Sequence, residues 1–257
     1  MSVRVITSYE YQHRLKEQDQ YQPVKLRSFI PSLDIALDGF ELGELIVLSG
    51  PTKHGKSLFF QTLTNNFQNE SEIYSLWFTY ELPPRQLFNR FPALPLFYLP
   101  EELKDHSLPW IESMIKQAKE KSAIKAVFID HLHYLLDIGR LKNISLEIGA
   151  VIRGLKKIAI RNEVVIFLAA HMKKVPAILE NEPTYEDIRD TSFVAQESDV
   201  VLMMWRPRNL KTNEYGNNAW LKVETSRRTG IFGKKIPLEK KEGLLCERKI
   251  ESPISTV

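Results

Sequence analysis

The segment SGPTKHGKS, residues 49–57, sets two glycines, a lysine and a hydroxyl at the spacing Gly50-x-x-x-x-Gly55-Lys56-Ser57. This spacing builds a nest of backbone N–H groups at the start of a helix, where the helix dipole already favours an anion. The glycines let the backbone approach a phosphate more closely than a Cβ would permit. Lys56 can reach the terminal phosphates, and the Ser57 hydroxyl is suited to coordinating Mg²⁺. Gly50, Pro51, Thr52, Lys53, His54, Gly55, Lys56, Ser57 and Leu58 are therefore the expected cradle for a nucleoside triphosphate.

Phosphate chemistry also needs acids. In KAVFIDHLHYL the apolar run Ala126–Ile129 leads directly into Asp130. A carboxylate at a strand end near a phosphate loop supports Mg²⁺; the alternative is a cap for the segment that follows. In SLWFTYELPPRQL, Glu81 follows the second strand and can orient or deprotonate an attacking water. It reads equally well as an acidic cap before the helix start at Pro83 and Pro84. His171 ends the run VVIFLAAH at the same edge, close enough to feel a γ-phosphate. His54 and His133 read as solvated or structural.

These groups must be positioned by strands and helices in alternation. Short apolar runs at 45–49, 73–80, 126–130, 164–170 and 200–205 are separated by amphipathic segments near 56–67, 84–91, 108–121 and 143–162. Apolar strands buried on both faces and linked by helices predict a mostly parallel central sheet flanked by helices. After Ala219, the stretches WLKVETS, GKKIPLE and LLCER predict an antiparallel C-terminal extension. Residues 1–28 are polar and read as an arm, with a helix from about Ser8 to Asp19 and an extended link to Pro31. The fold class is α/β with a P-loop NTPase core over 29–257.

Composition narrows the partners. A net charge of +3 leaves any nucleic-acid surface to a local stripe. Cys246 is the single cysteine, which excludes an intramolecular disulfide and fits a reducing compartment. No apolar run is long enough to span a bilayer, and MSVRVITSYEYQ has no apolar signal core. A soluble cytoplasmic protein is the expectation.

The quoted motifs together resemble one family: the RecA-like ATPase domain of hexameric replicative helicases. This is the DnaB type, with relatives among phage primase-helicases and the mitochondrial replicative helicase. The likeness runs from about Ile30 to Leu245. GFELGELIVLSGPTKHGKS, FTYELPPRQLFNR, VFIDHLHYL and HMKK resemble its P-loop, glutamate, metal-aspartate and sensor motifs. YEDIRDTSFVAQESDVVLMMWR resembles the segment that leaves its DNA loop, with Asp187, Arg189, Gln196 and Asp199 in place. The chain departs from the family at Asp190 and Ser192, where glycines are usual. ETSRRTG resembles the motif of the arginine finger.

The resemblance implies roles. Glu81 would activate water, Asp130 would join Ser57 on Mg²⁺, and His171 would sense the γ-phosphate of ATP. Arg227, with Arg228 beside it, would act in trans on a neighbour in a homo-hexamer. DNA-facing loops are implied just after Asp130 and at Lys173–Pro183, so Arg140, Lys142, Lys173 and Lys174 would hold single-stranded DNA by its phosphates. The basic residues Arg153, Lys156, Lys157 and Arg161 fall instead on the outer face of a helix, where a solvated surface is expected. An ATP-dependent DNA helicase motor acting in replication, served by a separate primase or loader, is the implied function. A RecA-type or circadian-type ATPase without unwinding, and a nucleotide-dependent loader or scaffold, are the alternatives.

Overall fold

The structure is a computed structural model and describes residues 5–17, 23–136, 144–172, 182–188, 191–208 and 214–249. In chain order it opens with α1 (Ser8–Glu17), β1 (Lys25–Leu26), α2 (Pro31–Leu37) and β2 (Phe40–Glu41). The alternating part follows as β3 (Leu45–Gly50), α3 (Lys56–Ser71), β4 (Tyr74–Thr79), α4 (Pro84–Phe88), α5 (Leu108–Lys121) and β5 (Ile124–Asp130). It continues with α6 (Ile144–Asn162), β6 (Val165–His171), α7 (Thr191–Glu197) and β7 (Val200–Trp205). The chain then forms β8 (Asn218–Ser226), β9 (Phe232–Lys241) and β10 (Leu244–Glu247).

Eight strands join in the order β10-β9-β8-β7-β3-β6-β5-β4. The five from β7 to β4 are parallel, and β8, β9 and β10 add on in antiparallel fashion. Alternation along the parallel strands divides the core. Ile46, Leu48, Phe128 and Phe167 face α2 and α3, whereas Leu45, Val47, Val127 and Ile129 face α5, α6 and α7. Each apolar run is thus buried on both sides, as a helix-covered parallel sheet requires. The α3 side is aromatic: Phe60, Phe67, Trp77, Phe128 and Phe167 pack ring against ring.

Local signals set the helix ends. Gly55, at φ 101°, turns the chain into α3. Ser107 accepts from the Trp110 N–H to start α5, with Pro109 in its first turn. At α1, Thr7 and Glu10 cap each other's backbone N–H. The described helix, Ser8–Glu17, has no buried residue. The stretch expected as an extended link contains β1, which pairs with β2 and sets Leu26 and Phe40 in the core.

Candidate functional site

The carboxyl ends of four neighbouring parallel strands meet at one edge of the sheet. Gly50 of β3 lies in register with His171 of β6, and Thr79 of β4 with Asp130 of β5. The backbone N–H groups of Tyr80 and Glu81 both donate to the Asp130 carbonyl, which brings Glu81 beside Asp130. Sheet order therefore gathers the phosphate loop, Glu81, Asp130 and His171 from distant parts of the sequence.

Tight packing shapes the loop. A Cβ on Gly50 would stand 2.0 Å from the Met204 carbonyl oxygen, so only glycine lets β3 pass β7 here. His54 is buried and structural: its Nδ1 accepts the Arg206 backbone N–H at 3.0 Å, and its ring meets Tyr215 edge-on. Burial, with the charges of Lys56 and Arg206, holds His54 down at about 4, so the loop is pinned by a neutral imidazole. Lys56, 9% exposed, donates to the carbonyls of Gly50 at 2.8 Å and Pro51 at 3.1 Å. Burial lowers its pKa, and the charges of Asp130 and Glu81 oppose that shift.

The Ser57 hydroxyl donates to Asp130 Oδ2 at 2.7 Å. Asp130 is 3% exposed, and burial raises its carboxyl. The Ser57 bond pulls the carboxyl back down, the Glu81 charge pushes it up, and Lys56 and Arg90 draw it down. A hydroxyl and a carboxylate oxygen beside a phosphate nest form a hard-oxygen set of the kind Mg²⁺ takes, with waters and phosphates completing the shell. Both groups line a cavity of about 650 Å³ together with Thr52, Lys53, Gly55, Lys56, Leu58, Glu81 and His171. Gln61, Asn89, Arg90 and Lys240 also line it, none of which the sequence singled out. Their only signal was proximity to the motifs: Gln61 is one turn beyond Ser57 on α3, and Arg90 closely follows α4.

A histidine cluster borders this cavity. His171 Nε2 lies 2.7 Å from His131 Nε2, with ring centroids 3.8 Å apart. His131 is 7% exposed, and burial with the nearby His171, His133 and Lys56 lowers it to about 3. Donor atoms of Glu81, His131 and His171 lie within 4.8 Å of one another. His133, a ring contact of His131, is half-buried.

At the opposite end of β3, Asp199 ties three segments together. Its backbone N–H donates to the Leu45 carbonyl, its carboxylate accepts the Leu45 N–H and Lys156 Nζ at 2.7 Å each, and its carbonyl accepts the Arg227 N–H. Arg228 is held by Glu44 at 2.8 Å, Glu41 at 3.2 Å, and the carbonyls of Leu37 and Gly39. Glu44 is pushed up by burial and drawn back by Arg228. The Arg227 side chain is exposed.

On the outer face of α6 Arg153, Lys157 and Arg161 are exposed, as the solvated surface expected there requires, and of the four basic residues Lys156 departs from it. Lys156 is half-buried on Asp199 and the Gly43 carbonyl, Arg153 pairs with Glu197, and Arg161 with Glu112. Neighbouring elements supply acids that helical periodicity could not reveal. Arg140, Lys142, Lys173 and Lys174, like Arg189 and Asp190, lie outside the described residues.

Residues 98–241 match the family model described as the DnaB-like helicase C terminal domain, more than half of the chain. The chain belongs to the DnaB-like helicase C-terminal domain family. The matched segment of this DnaB-like domain holds Asp130, His171 and Arg227, with the phosphate loop and Glu81 on its amino side. A probable replicative DNA helicase of Trieres chinensis is 26% identical over 222 residues, covering 73% of this chain and 49% of that protein. The replicative DNA helicase DnaB of Mycoplasma pneumoniae is 24% identical over 253 residues, covering 81% and 54%. The DnaB-like domain thus spans about half the length of the curated relatives it matches.

Solved structures agree on architecture. An ATPase domain superposes with a TM-score of 0.77 at 16% identity, over 95% of this chain and 99% of its own. A DnaB-like replicative helicase, described with its interactions with primase, gives 0.75 at 16% identity over 96% and 67%. At that identity the likeness speaks for the fold, which is RecA-like, with the parallel core and antiparallel extension that the sequence led one to expect. Among the described residues no helix is long and apolar enough to cross a membrane.

Proposed function

We propose that this chain is the ATP-hydrolysing motor of a ring-forming DNA helicase that acts in replication from the cytoplasm. The observation that carries the reading is the Ser57–Asp130 bond at the mouth of a phosphate loop, with Glu81 and His171 on the same cavity, in a member of the DnaB-like family. In this reading the backbone nest and Lys56 bind the phosphates of ATP; Lys56 leaves the Gly50 and Pro51 carbonyls to do so. Ser57 and Asp130 would hold Mg²⁺, which neutralises phosphate charge when bound. Glu81 orients water and accepts its proton, and His171 contacts the γ-phosphate.

Arg227 is the residue we assign to reach a neighbour's nucleotide, because Arg228 is already engaged by two carboxylates and two carbonyls. An arginine acting in trans requires a ring or filament, for which a homo-hexamer on single-stranded DNA is the fitting assembly. The exposed helix α1 would then tie one subunit to the next, as an arm preceding the ATPase body. Arg140, Lys142, Lys173 and Lys174 would track the DNA backbone, and a separate primase or loader would complete the machine.

The test is ATP hydrolysis with and without single-stranded DNA, on the wild type and Glu81→Gln, with the mass of the assembly measured in each nucleotide state. DNA-stimulated turnover lost in the variant, from a hexamer, is the expected result. A monomer whose turnover ignores DNA would overturn the motor and favour the loader or scaffold.

A further inference from the structure

We propose that His131 is a positioning residue for His171, holding it in the tautomer that carries its proton on Nδ1. The inference rests on the ATPase reading only for its kinetic consequence; the tautomer itself follows from hydrogen bonding. His131 caps the 3₁₀ turn Leu132–Leu135, and its Nδ1 accepts the backbone N–H of His133 at 3.3 Å. A neutral imidazole has one donor and one acceptor nitrogen. With Nδ1 accepting, the His131 proton is on Nε2, and Nε2 faces His171 Nε2 at 2.7 Å. One of two nitrogens at that distance must accept, so His171 Nε2 is the acceptor. The proton that His171 can offer is therefore the one on Nδ1.

The same atoms invite a second interpretation. Glu81, His131 and His171 offer two imidazole nitrogens and a carboxylate, a ligand set known for Zn²⁺ sites with an open position. Chelation needs lone pairs on both Nε2 atoms. His131 would then carry its proton on Nδ1, directly against the His133 N–H. The backbone donor decides between the two: the pair is a hydrogen bond with a fixed direction. The consequence for catalysis is order. A sensor imidazole with a free choice of tautomer would present a donor to phosphate only part of the time, whereas His171 is preset. A carboxylate or backbone carbonyl does this for many ligating histidines; here a second histidine, just past the end of the adjacent strand, does it.

The experiment uses the full chain. Imidazole ¹⁵N shifts of the wild type, without nucleotide, are expected to show His131 as Nε2–H and His171 as Nδ1–H. The opposite pair of tautomers overturns the proposal. So does saturable binding of Zn²⁺ alone, at one per chain, that His131→Asn abolishes. His131→Gln retains an N–H donor near the Nε2 position and His131→Leu does not. Turnover number is expected to fall on the order of 10-fold or more in His131→Leu, as for outer partners that orient an imidazole. KM should change little, and His131→Gln should restore most of the loss; equal losses in both variants overturn the proposal. Should His131→Leu fail to fold, the ¹⁵N measurement still decides. A wild-type chain that hydrolyses no nucleotide would sink the ATPase reading, and the tautomers would still be read.

Discussion

Arg228 Nε lies 2.8 Å from Glu44 Oε1, while the side chain of Arg227, one residue earlier, is exposed. Both lie in the turn that follows β8, where one arginine is spent within the subunit and the other is exposed. Arg228→Ala leaves the buried Glu44 without its cation and should cost ~3–5 kcal/mol of stability. Arg227→Ala should leave Tm unchanged and lower turnover by ~10³-fold or more if it acts as a finger in trans. Thermal melts beside hydrolysis rates separate the two, and a large stability loss in Arg227→Ala would reverse the assignment.

Glu81 is held next to Asp130 by its backbone and touches the cavity through its side chain. Glu81→Gln keeps the shape and removes the base. Turnover should fall by about 10²–10⁴-fold with nucleotide affinity retained. Titration with a fluorescent ATP analogue checks the affinity, and loss of binding would mean that Glu81 shapes the pocket instead.

Asp130 predicts a trade between stability and function. Its carboxyl is raised in the folded chain, so its contribution to stability is present at low pH and is lost as pH rises through the folded pKa. At neutral pH without divalent cations, Asp130→Asn should therefore raise Tm, by about 2–4 °C for each ~1 kcal/mol gained. The same variant should lose Mg²⁺-dependent hydrolysis. A lower Tm would mean that the carboxylate stabilises the fold as it stands.

His54 works with the opposite sign. Its folded value of about 4 lies below the ordinary 6.5, so the stability it contributes is present above 6.5 and is lost as pH falls toward 4. His131, lowered to about 3, adds a parallel loss. His54→Asn offers an oxygen to the Arg206 N–H and cannot take up the proton. Its melts between pH 7 and 4 should be flatter than those of the wild type; an unchanged slope would place the acid sensitivity elsewhere.

The phosphate loop was legible because its chemistry is local: one spacing, one strand before it and one helix after it. The strands were legible because burial on both faces leaves continuous apolar runs such as VVIFLAA. The relation of His131 to His171 was not, since only the pairing of β5 with β6 brings the two together. Gln61, Asn89, Arg90 and Lys240 join the cavity through tertiary packing, which no periodicity encodes. Lys156 read as solvated because its partner, Asp199, lies on the far side of β6 in the sequence. The engagement of Arg228 by Glu44, on which the proposed role of Arg227 rests, joins residues far apart in the chain.

Asp199 grips both the first residue of the strand that carries the phosphate loop and the turn that carries Arg227. In the proposed ring these would be the receiving and the donating ends of one molecule. A shift of the strand as the loop follows its own nucleotide would reach the outward arginine through Asp199, which is bonded to both. In a ring, the state of each subunit would be felt mechanically by the next, with no signal passing through the DNA.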